Sequence, residues 1–180
     1  MDTTVNRQSE MGRAGIITHE NLRELIGNEL YNETLEYTLR QTGLGRTEAE
    51  QQVIECLRFL YLISAFPQRL GGLFLPVEQA IDEVWHFLIL QTREYRILCE
   101  QKLPGRFFIE HRSMPYNQYG QEPGREQMAE EALRWLPLYR ATFGGFDECS
   151  APCWTMVRFL HGQMNMSLEH INALNGEMDE

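Results

Sequence analysis

The stretch from Ile81 to Cys99 constrains the fold more than any other part of the chain. Ile81, Val84, Trp85, Leu88, Tyr95 and Leu98 recur at helical spacings, so they form one apolar stripe. Phe87, Leu90 and Ile97 add apolar positions off that stripe. Pro76 stands where a first helical turn tolerates its missing N–H, and Pro104–Gly105 stops the run. The pattern predicts one helix over about residues 77–101. A helix apolar on several faces belongs at the centre of a domain.

The remaining segments carry the same period. Thr18 is a capping residue that opens a helical stretch to about Gln41, closed by Gly43 and Gly45. Thr47 to Glu50 reads as a capping box for a helix ending before Pro67. Gly71 and Gly72 mark a loop, and residues 112–124, rich in Pro, Tyr, Gly and Asn, read as a long one. A helix over about Arg125–Thr142 should be kinked or split by Pro137. Another is expected over about Ser150–Leu160, with Pro152 in its first turn, and a short one after Ser167. No hairpin or βαβ alternation occurs. The expectation is an all-α domain, residues 16–176, of about five to seven helices, preceded by a disordered tail over 1–15. With 180 residues it can bury a real core without disulfides or a structural metal.

Charge and cysteine usage narrow the partners. The formal net charge is −10, and Lys102 is the single lysine among 16 basic residues. An acidic surface repels phosphate backbones, which disfavours nucleic acid as a partner. The apolar runs are too short to span a membrane. Residues 1–15 are polar and lack the apolar run of a secretory signal. That predicts a cytoplasmic protein with Cys56, Cys99, Cys149 and Cys153 all reduced.

The chemistry-bearing residues cluster in the same central stretch. Asp82 and His86 are four apart and share a helix face. Asp82 could orient one imidazole nitrogen and leave the other to act on a metal or a proton. His111 follows the Pro-Gly break, so the chain could fold back toward His86. Asp82, His86 and His111 would then make an open facial site for a divalent metal such as iron, copper or zinc. His86, Cys99 and Tyr95 are the candidate catalytic groups. The bland alternative is a satisfied polar pair on a helix whose Trp and Tyr are core.

Several motifs together resemble one family. They are L-R-F-L-Y-L-I-S at 57–64, I-D-E-V-W-H at 81–86, I-L-Q-T-R-E-Y at 89–95, C-E at 99–100, G-R-F-F-I-E-H at 105–111 and L-Y-R-A-T-F-G at 138–144. The family is the bacterial branch of the glycine-rich domain-containing protein-like proteins. The resemblance spans about residues 20–145, most of the domain. Carried across, its hallmark positions are Asp82, Trp85, His86, Thr92, Tyr95, Cys99 and His111. Leu88 stands where many relatives have a second His, and Glu110–His111 where many have His–His. A metal site relying on those histidines is depleted here, although Glu110 could supply an oxygen ligand. The resemblance implies a fold and a shared polar centre, and no particular reaction.

Two further clusters carry weaker signals. Cys149, Cys153, His161 and His170 could form a Cys₂His₂ zinc site, but their spacing departs from the usual finger pattern. Met156, Met164 and Met166 among apolar neighbours suit either a partner surface or a core edge. Two functions stay open. One is an accessory or binding protein acting beside an enzyme or a larger assembly, with a protein as its partner. The other is a small enzyme with a pocket around Asp82, His86 and His111. The first is favoured, because no complete catalytic set is visible.

Overall fold

The computed structural model describes residues 16–70, 77–110 and 125–174, with side chains from residue 132 onward in the last segment. The fold is all-α. Nine α-helical segments occur among the described residues: α1 (His19–Ile26), α2 (Asn28–Thr42), α3 (Arg46–Ala65), α4 (Pro67–Leu70), α5 (Gln79–Leu90), α6 (Thr92–Ile97), α7 (Arg125–Phe143), α8 (Thr155–Arg158) and α9 (Leu168–Ala173). A π-helical turn, Leu98–Lys102, extends α6, and another, Phe159–Gln163, extends α8. Extended pairing among the described residues is limited to one isolated bridge, Val77 with Trp154. None of their helices is long and apolar enough to cross a membrane. The expected tail over 1–15, the loop over 112–124, Pro76 and His111 lie outside the described residues.

The helix count exceeds five to seven because two expected helices are divided and a short one follows Pro67. Thr18 caps α1 as its sequence suggests: its hydroxyl accepts from the Asn21 N–H at 3.2 Å, and Asn21 Oδ1 accepts the Thr18 N–H at 3.0 Å. The chain then turns at Gly27, whose φ of +90° closes α1 and opens α2. Glycine reaches that φ at little cost. The periodicity of Leu22, Ile26 and Leu30 runs straight across the break and hides it.

The second division falls inside the expected 77–101 helix. Gln91 leaves helical geometry at φ −80°, ψ 58°, separating α5 from α6. Ile81, Val84, Trp85, Leu88, Tyr95, Leu98 and Cys99 are all buried, so the stripe survives. Thr92 is the misfit: a straight helix would place it on the stripe, and the break leaves it exposed. Leu90 ends α5 at 75% exposure.

The most enclosed helix is α3 rather than the 77–101 stretch. Every residue from Val53 to Leu60 is buried, charged Glu55 and Arg58 included. It packs against α1, α2, α5 and α7. Its start lies earlier than the Thr47–Glu50 box: Glu48 Oε2 accepts the Gly45 N–H at 3.2 Å, so Glu48 satisfies the leading donor.

The C-terminal helices differ in part from expectation. α7 is not split in two at Pro137. The lost bond would have reached the Leu133 carbonyl, on an exposed turn where water can replace it. The Ser150–Leu160 helix is interrupted at Trp154, which takes extended geometry between a 3₁₀ turn, Ala151–Cys153, and α8. That conformation buries the Trp154 ring completely. Ser167 caps α9 as expected, accepting from the His170 N–H at 3.1 Å.

Candidate functional site

Asp82 and His86 meet as their spacing requires. His86 Nδ1 lies 2.9 Å from the Asp82 carbonyl oxygen and 3.3 Å from Asp82 Oδ2. A carbonyl oxygen only accepts, so Nδ1 carries a proton. The site is not buried: the two side chains are 42% and 38% exposed. α5 turns Val84, Trp85 and Leu88 inward and leaves Asp82 and His86 at the boundary with solvent. His111, the third expected ligand, falls outside the described residues. Among those described, no three His, Cys, Asp or Glu side chains converge to hold a metal.

Of the other hallmark residues, Trp85 and Tyr95 join a buried knot with the segment before His111. Trp85 Nε1 donates to the Tyr95 hydroxyl at 2.8 Å, and that hydroxyl donates to the Ile109 carbonyl at 2.8 Å. The Phe108 ring meets Tyr95 edge-on, with centroids 5.5 Å apart. Just upstream, the Gly105 N–H donates to Ser64 Oγ at 2.9 Å. A Cβ on Gly105 would come within 2.2 Å of the Ser64 carbonyl oxygen, which explains glycine there. The G-R-F-F-I segment is thus pinned against α3 at one end and against Tyr95 at the other.

That burial suppresses the reactivity expected of Tyr95 and Cys99. Burial pushes the Tyr95 hydroxyl far above its ordinary range, with the Trp85 hydrogen bond only partly opposing it. Burial also raises the Cys99 thiol, against the pull of the Ile109 backbone and of Tyr95. A neutral, wholly buried thiol is a poor nucleophile. In this arrangement Tyr95 is engaged in hydrogen bonds and Cys99 is wholly buried.

The strongest polar cluster is one that the spacing of residues did not reveal. Glu55 Oε1 accepts from Gln51 Nε2 at 2.8 Å and from Arg58 Nη1 at 2.7 Å. Glu55 Oε2 accepts from the Tyr139 hydroxyl at 2.9 Å and from Trp154 Nε1 at 2.8 Å. Arg58 Nη1 also donates to the Tyr139 oxygen at 2.6 Å, and its guanidinium lies over the Tyr139 and Phe143 rings. Aromatic stacking encloses the group: Tyr139 on Phe146 at 3.8 Å, Trp135 on Trp154 at 5.0 Å. Burial pushes the Glu55 carboxyl up, while Arg58, Trp154 and Tyr139 push it back down. Four donors fill its lone pairs, which favours the carboxylate. The one available signal was two charges three apart inside V-I-E-C-L-R-F-L.

The Cys149, Cys153, His161 and His170 set, whose spacing already departs from a finger pattern, does not converge. Cys153 is buried with Sγ 3.9 Å from the Cys149 carbonyl oxygen, and its thiol is pushed up to about 12, chiefly by burial. His161 Nδ1 donates to the Met166 carbonyl at 2.9 Å, and Nε2 lies 3.5 Å from Glu148. All four cysteines are free thiols.

Two surface features remain. An open cleft is lined by Asn21, Glu24, Leu25 and Lys102; Lys102 Nζ donates to the Ile26 carbonyl at 3.2 Å and so closes the end of α1. Between α2 and α5, Tyr37 stacks on Phe87 with centroids 4.3 Å apart and planes 20° from parallel. Both rings are half-buried, and Leu90 stands exposed one turn beyond Phe87. No family model, no curated protein and no solved structure matches this chain.

Proposed function

We propose that this protein is a helical accessory protein of the cytosol that binds a protein partner and does not itself catalyse a reaction. The observation behind this reading is the α2–α5 surface, where the Tyr37–Phe87 stack and Leu90 present apolar area to solvent. Aromatic and aliphatic side chains held in place on neighbouring helices make effective anchors for a partner. The buried polar groups point the same way. Glu55, Arg58, Tyr95 and Tyr139 are engaged in bonds that hold helices together. Free, mostly buried thiols suit a reducing compartment, and a net charge of −10 disfavours nucleic acid. The family resemblance agrees with a fold built around such a polar centre and assigns it no reaction.

A photoreactive phenylalanine analogue in place of Leu90, in the cells that make the protein, tests this reading. A discrete protein adduct is expected, absent when the analogue replaces exposed Glu29. No adduct, or the same adducts from both positions, would refute it.

A second reading is a small metal-dependent enzyme using Asp82, His86 and His111 with iron, copper or zinc. Its support is the His86 ring, whose Nδ1 donates to the Asp82 carbonyl, an orientation in which Nε2 would be the ligating nitrogen. Elemental analysis of protein purified without an affinity tag decides it: stoichiometric metal favours this reading, and none removes it.

A further inference from the structure

Resting on the accessory reading, we infer that the α2–α5 face receives a basic amphipathic helix, one whose apolar stripe is flanked by Arg or Lys. Two features of the face point to that chemistry together. The first is its apolar ridge, made by the Tyr37–Phe87 stack and by Leu90 at the end of α5. The bend at Gln91 turns the chain away directly after Leu90, so this side chain stands at a corner. A partner helix can lay residues spaced three and four apart along such a ridge.

The second feature is the charge around the ridge. Glu33 lies one turn before Tyr37 on α2, and Glu83 one turn before Phe87 on α5. Glu36 on α2 and Glu94 on α6 are further acidic residues on these stretches, and all four are exposed. No ion pair engages any of the four among the described residues. Arg40 on α2 and Arg93 and Arg96 on α6 are the cations on these stretches, against Glu29, Glu33, Glu36, Asp82, Glu83 and Glu94, so the stretches stay net acidic within a chain of net charge −10. Arg and Lys suit this rim doubly: their heads meet carboxylates while their methylene stems cover ring edges. A second copy of the chain would bring like charge against like, and so would an anionic membrane.

Fluorescence anisotropy on the full chain tests this with two labelled helical peptides. One carries a Leu stripe at i, i+3, i+4 and i+7 flanked by Arg and Lys; the other has Glu in place of those cations. The cationic peptide should bind and the anionic one should not. Leu90→Asp should weaken binding about tenfold or more, as loss of a central anchor does. Glu33→Lys with Glu83→Lys should weaken it about tenfold, with less sensitivity to salt than the parent. These positions are exposed, so the fold should tolerate the changes, and unchanged circular dichroism verifies it. Equal binding of both peptides, binding of neither, or binding indifferent to Leu90→Asp overturns the inference. So does a Leu90-dependent dimer in sedimentation, because the occupant would then be a second copy. A Leu90 photoadduct in cells without cationic-peptide binding overturns this inference and leaves the accessory reading standing. Peptide binding without any photoadduct does the reverse.

Discussion

The Tyr139 hydroxyl on α7 donates to the Glu55 carboxylate on α3 at 2.9 Å, across 84 residues of chain. With Trp154 Nε1 on the same oxygen, one carboxylate joins α3, α7 and the segment entering α8. Arg58 supplies the opposite charge at 2.7 Å. Such a group adds little to stability compared with good apolar packing, but removing one member is costly, because it strands the other. The Arg58 Nε and Trp135 Nε1 atoms are already buried without a partner, so this region has little polar slack.

Glu55→Ala should therefore destabilise the fold by about 3–5 kcal/mol, the range for breaking a buried ion pair. Tyr139→Phe removes two hydrogen bonds, one donated to Glu55 and one accepted from Arg58, and leaves the charges paired, so it should cost about 2–4 kcal/mol. Urea unfolding measures both. A Glu55→Ala loss below about 1 kcal/mol would show that the carboxylate is not what secures the C-terminal helices.

The helical class was legible because apolar residues repeat with one period and because Thr18 and Ser167 announce helix starts that the structure contains. The breaks were not legible. Gly27 and Gln91 interrupt stripes whose periodicity continues through them, so only tertiary packing distinguishes a bent pair from one rod. The Asp82–His86 bond could be read because it is local, four residues within one helix. The Glu55 cluster could not, because its partners come from positions 139 and 154, and no spacing rule links those to 55. The enclosure of α3 was hidden for a related reason. Glu55 and Arg58 lower the apparent hydrophobicity of α3, although they neutralise each other inside it.

Tyr95→Phe isolates the knot that holds the segment before His111. The change keeps the ring and deletes the oxygen, leaving the Trp85 N–H and the Ile109 carbonyl without it. Two such losses at buried groups amount to about 2–4 kcal/mol. Trp85→Ala should cost about 3–5 kcal/mol through the lost ring volume. Amide exchange should become faster at residues 106–110 in Tyr95→Phe, since Ile109 loses its anchor. Unchanged exchange there would mean that the Gly105–Ser64 contact alone pins the segment.

Acid sensitivity should involve His19 and Asp147. Partial desolvation lowers the pKa of His19, whose side chain still reaches solvent, below its usual 6.5, and the Arg58 charge lowers it further. The unfolded chain then takes up this proton first, so stability falls as pH drops below about 6.5 until the folded pKa is reached. Burial alone would raise Asp147. The Ser150 N–H and hydroxyl, the Cys149 N–H and Arg58 together hold it below its usual 3.8. Its contribution is lost further down, as pH falls through that lower value. Urea midpoints of the parent and His19→Gln, compared between about pH 7 and about pH 5, cancel every other group, Glu55 included. His19→Gln should lose less stability over that range. Identical slopes would show that His19 titrates alike in both states.

His86→Ala separates the structural and functional meanings of the α5 pair. Had the pair been buried, its removal would cost several kcal/mol. The side chains are instead 42% and 38% exposed, and a solvent-screened pair at that exposure is worth about 0–1 kcal/mol. Its hydrogen bond to the Asp82 carbonyl lies within one helical turn. The substitution should therefore lower stability by less than about 1 kcal/mol in urea unfolding. Asp82→Asn should behave alike, and raising the salt concentration should shrink both effects. If the protein as purified carries stoichiometric metal, His86→Ala should abolish it at this small cost. A loss above about 2 kcal/mol in metal-free protein would instead identify His86 as a structural residue.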